Sequence, residues 1–205
     1  MGKRRFLTFL GTTHYGEARY AWQSVISPPT RFVQEAIVSL VGGATPFDEV
    51  VVFHTREAGA RNGEWHKCPQ CDGYEGLFPR LRRLAQQHGF DLTLVELPDR
   101  ARQEETAVDQ VLSRDEQNVW ETVQLVYDRL YPGDEVYFDI THSFRYQPML
   151  AAQVLYYAEI SKDITVKGLY YGFYDKDNEI NLLFDASAFL KMQKWVMHLD
   201  LFLKS

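Results

Sequence analysis

The segment that decides the fold is EVYFDITHSFR, residues 135–145, in which an apolar run ends at Asp139. The run from Glu135 to Ile140 is rich in β-branched and aromatic residues with little polar alternation, which is typical of a strand buried on both faces. A segment of helical period, Phe144 to Ser161, follows almost at once. A strand that leads directly into a helix is the repeating unit of a parallel α/β sheet.

Apolar runs of strand length alternate with segments of helical period along the rest of the chain. Glycine marks the helix ends at Gly42-Gly43, Gly89 and Pro132-Gly133, as helix C-termini favour. Strands are predicted over Phe6 to Leu10, Glu49 to His54, Leu92 to Leu97, Glu135 to Ile140 and Ile164 to Tyr171. Helices are predicted over Thr30 to Val41, Gly76 to His88, Arg114 to Tyr131, Phe144 to Ser161 and Ala186 to Leu203. Right-handed crossovers between these strands predict an α/β fold, Rossmann-like and doubly wound, with a mostly parallel sheet of about six strands.

Two further segments complete the predicted architecture. Asn178 to Phe184 is a short final strand, and so few residues separate it from the preceding strand that the two should pair antiparallel. We expect this C-terminal hairpin at the sheet edge. The segment from Ala58 to Tyr74 is rich in glycine and holds both cysteines, which predicts an extended loop.

Composition indicates one globular domain with a buried core. The chain has 205 residues, of which 45% are hydrophobic, and no run approaches the roughly 18 consecutive apolar residues of a membrane span. The net charge of -6 argues against a protein that holds long nucleic acid through many phosphate contacts. With two cysteines and no signal peptide, the sequence predicts a cytoplasmic protein.

Ligands of open α/β sheets bind beyond the carboxyl ends of the strands, which singles out three loops. The first strand leads into Gly11-Thr12-Thr13-His14-Tyr15-Gly16, the second ends at His54-Thr55-Arg56, and the fourth ends at Asp139-Ile140-Thr141-His142-Ser143-Phe144-Arg145. None has the GxGxxG pattern of dinucleotide sites, so no such cofactor is expected.

The loop after the fourth predicted strand allows two interpretations. Thr141, His142 and Ser143 precede a helix whose free amides and dipole favour an anion, and Arg145 adds a donor fork for phosphate. Alternatively, Thr141 or Ser143 only caps the helix while Asp139 braces the turn.

These motifs together resemble the CARF family, the CRISPR-associated Rossmann-fold sensors of type III systems, and most closely the branch found in CARF-HEPN effectors. The resemblance covers residues 6 to 200. It is carried by Phe9-Leu10-Gly11-Thr12, Phe53-His54-Thr55, Asp139-Ile140-Thr141-His142-Ser143-Phe144-Arg145 with Pro148, and Tyr170-Tyr171-Gly172.

The resemblance implies a homodimer that binds a cyclic oligoadenylate, most often the four-adenylate ring, across its two-fold axis. Such a sensor regulates an antiviral effector that is fused to it or separate, and it needs no cofactor. It also implies a sensing domain over 1–185 and a helix over 186–205 that dimerises or leads to an effector. The expected ligand-binding residues are Gly11, Thr12, Thr13, His14, Tyr15, Thr55, Thr141, His142, Ser143 and Arg145.

Aromatic residues near the first loop have two possible roles. Tyr15 and the Tyr20-Ala21-Trp22 stretch are candidates for stacking on adenine, because every base offers a π-face. Packing in the loop or core explains them equally well.

The sequence also allows other activities. Some relatives cleave their own ligand without a metal, using its 2′-hydroxyl, and Thr141, His142 and Arg145 would then serve the reaction. An α/β enzyme acting on a mononucleotide, with Asp139 and His142 as acid and base, is a further alternative. A transcriptional regulator is disfavoured by the charge and by the lack of room for a helix-turn-helix.

The cysteine pair and the last helix each allow more than one interpretation. Cys68 and Cys71 have zinc-ligand spacing, with His66 nearby, but a full site needs four ligands and ordinary thiols in a loop are the simpler explanation. The final helix shows apolar residues on more than one face. That pattern suits a dimer surface, the start of an effector domain or an ordinary buried terminal helix.

Overall fold

A computed structural model describes residues 2–66, 73–98, 108–143 and 146–204. Its centre is an eight-stranded sheet with the order β3-β2-β10-β9-β8-β1-β4-β7, beside a separate two-stranded hairpin, β5-β6. The strands are β1 (Arg4–Leu10), β2 (Arg19–Trp22), β3 (Val25–Ile26), β4 (Glu49–Thr55), β5 (Trp65–His66), β6 (Tyr74–Glu75), β7 (Asp91–Leu97), β8 (Glu135–Asp139), β9 (Thr165–Phe173) and β10 (Ile180–Asp185).

The helices lie on both faces of this sheet. Pro148 stands in the first turn of α5, where its missing N–H costs no hydrogen bond. The helices are α1 (Val33–Leu40), α2 (Arg56–Ala58), α3 (Leu77–His88), α4 (Val108–Tyr127), α5 (Gln147–Ser161) and α6 (Ser187–Lys204), and a π-helical turn spans Gly59–Gly63.

Strand order reverses between β1 and β8. From β1 the chain adds β4 and then β7 on one side, and it returns to place β8 and then β9 on the other. The pairs β1–β4, β4–β7, β1–β8 and β8–β9 are all parallel, so their carboxyl ends meet along one edge. A crevice at such a reversal is the usual ligand site of doubly wound folds.

Alternating side chains of each buried strand serve two separate cores. On β1, Phe6 and Leu10 face the core beneath α1 and α3, whereas Leu7 and Phe9 face the core beneath α4, α5 and α6. All four side chains are at most 3% exposed. The predicted α/β architecture, Rossmann-like and doubly wound, is therefore confirmed.

Two details of the main sheet differ from the sequence prediction. The sheet has eight strands instead of about six, because β2 and β3 extend it beyond the hairpin. The antiparallel β9–β10 hairpin forms as predicted, but β10 also pairs in parallel with β2, so it is not at the edge.

The predicted extended loop over Ala58 to Tyr74 is partly ordered. The π-helical turn and the β5–β6 hairpin occupy its described parts. Glycine permits this packing, because a Cβ at Gly63 would come within 2.5 Å of the Phe78 ring. Glycine in this segment therefore allows a neighbouring side chain to pack closely against the backbone.

Helix α6 covers little of the sheet. Leu190 is buried, whereas Trp195 and Phe202 are each 75% exposed, which disagrees with an ordinary buried terminal helix. Nearby, α4, α5 and α6 border an apolar groove that includes Trp120, Tyr157 and Met197. No helix within the described ranges has the length and hydropathy to cross a membrane.

Candidate functional site

A cleft of about 210 Å³ opens where strand order reverses. The loops after β1 and β8, which are far apart in sequence, form two of its walls, and the end of β9 forms a third. The residues lining it are Thr13, His14, Tyr15, Gly16, Tyr20, Arg31, Thr141, His142, Tyr171, Gly172 and Tyr174.

A buried carboxylate anchors the loop after β8. Asp139 accepts hydrogen bonds from the Thr8 hydroxyl (2.7 Å), the Thr141 hydroxyl (2.5 Å) and the Thr141 backbone N–H (3.0 Å). Burial nevertheless raises the pKa of Asp139 to about 6. The Thr141 hydroxyl also accepts from the Gly172 N–H at 2.7 Å, which ties this loop to β9.

The two main loops touch through a tyrosine and a histidine. The ring centres of Tyr15 and His142 lie 4.0 Å apart, and the Tyr15 hydroxyl accepts a hydrogen bond from the Gly11 N–H at 3.1 Å. A Cβ at Gly11 would come within 2.7 Å of the His142 carbonyl oxygen, so glycine is what allows this approach. His142 Nε2 is buried and has no hydrogen-bond partner among the described residues, and burial lowers the pKa of its imidazole to about 3. His142 is therefore neutral at pH 7.

A second anchor holds the loop after β1. The Asn62 side-chain amide donates to the carbonyl oxygens of Gly11 (2.8 Å) and Thr13 (2.9 Å). Its Oδ1 is thereby turned toward His66, whose Nδ1 lies 2.6 Å away and must be the donor. The ring of His66 stacks on that of Tyr74 at 4.4 Å. A π-helical turn thus supplies the residue that shapes this wall, as such turns often do at functional sites.

The structure brings together half of the expected ligand-binding residues. Thr13, His14, Tyr15, Thr141 and His142 line the cleft, whereas Gly11, Thr12 and Ser143 lie in its loops without lining it. Thr55 lies elsewhere: its hydroxyl caps α2 by accepting from the Ala58 N–H at 3.2 Å. Arg145 lies outside the described residues.

Among the described residues, neither Thr141 nor Ser143 is the N-cap of α5. Helix α5 begins at Gln147, and its N-cap residue, Tyr146, makes no side-chain capping bond. The Thr141 hydroxyl donates to Asp139 and the Ser143 hydroxyl donates to the Ile140 carbonyl at 2.6 Å. Asp139 does brace the turn, as that interpretation expected.

Of the three predicted zinc ligands, the structure describes only His66. His66 is committed to Asn62 through Nδ1, and Cys68 and Cys71 lie outside the described residues. Within the described ranges, no group of three or more histidine, cysteine, aspartate or glutamate side chains is placed to hold a metal ion.

Sequence reasoning missed Arg31, Tyr174 and Asn62. Tyr174 directly follows β9, so the rule that parallel strands end at one edge was a signal for it. Arg31 and Asn62 reach the site from other parts of the chain, and no local motif surrounds them.

Comparison with known proteins gives a partial relationship. No protein-family model matches the chain. Over 87 residues, it is 32% identical to CRISPR-associated protein MJ1674 of Methanocaldococcus jannaschii. The chain resembles a CRISPR-associated protein. The similar region is 40% of this chain, and the chain spans only 14% of the relative's length.

Proposed function

We propose that this chain is a CARF-type sensor domain that binds a cyclic oligoadenylate, the tetra-adenylate ring, across a cytoplasmic homodimer in type III CRISPR defence. The observation that carries the proposal is the meeting of the β1 and β8 loops around one cleft at the strand-order reversal. The similarity to CRISPR-associated protein MJ1674 supports a CRISPR-associated role.

The size of the cleft favours two chains acting together. At about 210 Å³ it is smaller than the roughly 300–1,000 Å³ of sites for drug-sized ligands, so it suits one part of a larger ring. A two-fold pair would present two such clefts to a symmetric ligand. Aromatic side chains at the rim, Tyr171 and Tyr174, offer stacking surfaces for adenine.

Binding without cleavage is the better supported form of this function. The Thr141 hydroxyl already donates its one proton to Asp139 and accepts from Gly172, so it has no proton left for a phosphate. Neutral His142 can accept a hydrogen bond, but it has no positive charge to stabilise a developing anion.

The burial of Asp139 disfavours a mononucleotide enzyme that uses this residue as its acid or base, because a fully buried carboxylate does not reach a substrate in the cleft.

Calorimetric titration with cyclic tri-, tetra- and hexa-adenylate, followed by chromatography of the recovered ligand, tests the proposal. We expect one ring to bind per two chains and to be recovered intact. His142→Ala should weaken binding, whereas His88→Ala, at an exposed position at the end of α3, should not. Linear products would establish a ring nuclease instead, and no binding of any ring would refute the proposal.

A further inference from the structure

Arg31 sets its guanidinium on the wall of the cleft. It precedes α1, whose N-terminus begins at Val33, and it is only partly exposed. Nothing in the predicted site included it.

The guanidinium is held in place on two sides. One Nη donates to the Tyr15 carbonyl oxygen at 3.2 Å, and the guanidinium carbon lies 4.5 Å from the centre of the Tyr74 ring. Stacking on an aromatic face fixes the plane of the group, and arginine carries five N–H donors, of which this contact uses one. A planar donor fork with free N–H groups is therefore presented to the cleft.

Its electrostatic setting is unlike that of most arginines here. Arg5 pairs with Asp134 and Glu49, Arg80 with Glu35, and Arg82 with Glu64. Arg31 makes no ion pair with any residue that the structure describes. None of the described residues lining the cleft is acidic either. In a chain of net charge -6, Arg31 thus places a positive charge without an ion-pair partner among the described residues beside the converging loops.

We propose that Arg31 binds a phosphate group of a nucleotide ligand in this cleft. The inference rests on the proposed function and adds the cation that recognises the ligand's phosphodiester. Guanidinium and phosphate form paired, charge-assisted hydrogen bonds, for which a pre-oriented fork is well suited. The second cation expected from sequence, Arg145, lies outside the described residues, and the Arg31 contact does not depend on it.

Three variants test this role: Arg31→Gln, Arg31→Lys and Arg19→Gln. Arg19 is the matched control, because it is an exposed arginine on β2 that makes no ion pair with the described residues and does not line the cleft. For cyclic tetra-adenylate we expect Arg31→Gln to weaken binding roughly 30-fold, from the loss of charged hydrogen bonds. Arg31→Lys keeps the charge without the fork and should lose roughly five-fold. Arg19→Gln should match the wild-type affinity.

A second pair of probes separates phosphate recognition from folding. Each protein is titrated with adenosine 5′-monophosphate and with adenosine, and the ratio of the two affinities is recorded. A partly unfolded variant loses both affinities equally, so the ratio reports only the phosphate contact. We expect wild type to prefer the monophosphate and Arg31→Gln to lose that preference.

The outcomes distinguish the two proposals. If the ring binds and Arg31→Gln binds it within three-fold of wild type, the role of Arg31 is refuted while the sensor function stands. If no ring binds but the monophosphate preference exists and disappears in Arg31→Gln, the sensor function fails and the phosphate site stands. An unchanged preference in the variant, or no preference in wild type, overturns the Arg31 site.

Discussion

The two loops that meet at the cleft are anchored by opposite means. The loop after β8 is held from its own strand by a carboxylate, Asp139, buried among hydroxyl and amide donors. The loop after β1 is held from the side by a neutral amide, Asn62, which comes from the π-helical turn. A charged anchor ties the position of its loop to pH, whereas a neutral one does not. One wall of the site is therefore sensitive to protonation, and the other depends on how a separate segment folds.

The charged anchor gives the largest expected effect. Asp139→Ala leaves Thr8 and Thr141 donors buried without their acceptor, and we expect a loss of about 3 kcal/mol in the free energy of unfolding. Urea denaturation measures it. Asp200→Ala, at an exposed position on α6, is the control and should cost little. A loss below about 1 kcal/mol for Asp139→Ala would mean that β8 positions its loop without this carboxylate.

The neutral anchor should matter somewhat less. Asn62→Ala removes two hydrogen bonds to the β1 loop and one from His66, and we expect a loss of about 2 kcal/mol. Asn178→Ala removes an exposed amide that donates to Asp175, and it serves as the control. Equal urea midpoints for the two variants would show that Asn62 does not hold the loop.

The pH dependence of stability should have opposite signs at the two titrating residues. The pKa of His142 is lowered from 6.5 to about 3. The free energy of unfolding that this residue contributes above pH 6.5 is therefore lost as pH falls toward 3. The pKa of Asp139 is raised from 3.8 to about 6. The free energy of unfolding that this residue contributes below pH 3.8 is therefore lost as pH rises to 6.

Two variants separate these contributions. Relative to wild type, His142→Phe should remove an acid-induced loss of about 2 kcal/mol between pH 6.5 and 5. Asp139→Asn should remove the opposite trend and so leave a protein that is more acid-sensitive than wild type. Denaturation curves recorded from pH 4 to 8 measure both. Parallel stability profiles for the three proteins would contradict the assignment.

The contact between the two loops should give the smallest effect. Tyr15→Phe keeps the ring against His142 but removes the acceptor of the Gly11 N–H. We expect a loss of about 1 kcal/mol, as for one ordinary hydrogen bond. Tyr157→Phe, at an exposed position on α5, should leave the unfolding midpoint unchanged. A larger loss at Tyr157 than at Tyr15 would contradict the role given to the Tyr15 hydroxyl.

The parts of the fold that are local in sequence could be predicted. Buried parallel strands such as β4 have near-continuous apolar runs, and Gly89, at φ 78°, ends α3 in the left-handed conformation that glycine favours. Strand β2 was missed because it has four residues and, although β3 beside it is close in sequence, the strand that joins it to the rest of the sheet, β10, lies about 160 positions away. Its pairing is a property of the folded sheet.

In the site, too, the features that are local in sequence could be predicted and those that join distant segments could not. The β1 and β8 loops were found because each directly follows a recognisable strand. Asn62 and Arg31 were not, because each approaches a loop that is distant in sequence, and a single Asn or Arg has no periodic context. The resemblance supplied Thr55 as a ligand residue, but the turn into α2 uses its hydroxyl as a cap.

The hydrogen bond from Thr8 to Asp139 spans 131 positions of the chain, which has a consequence for the order of folding. The β1–β4 and β4–β7 pairs join residues about 40 positions apart, so closing them costs less chain entropy than joining β1 to β8. We expect the β1–β4–β7 half of the sheet to assemble first and the β1–β8 pairing to form late. A nascent chain on the ribosome would then have no complete cleft until β9 has emerged. A ligand in the cleft would slow unfolding without accelerating folding.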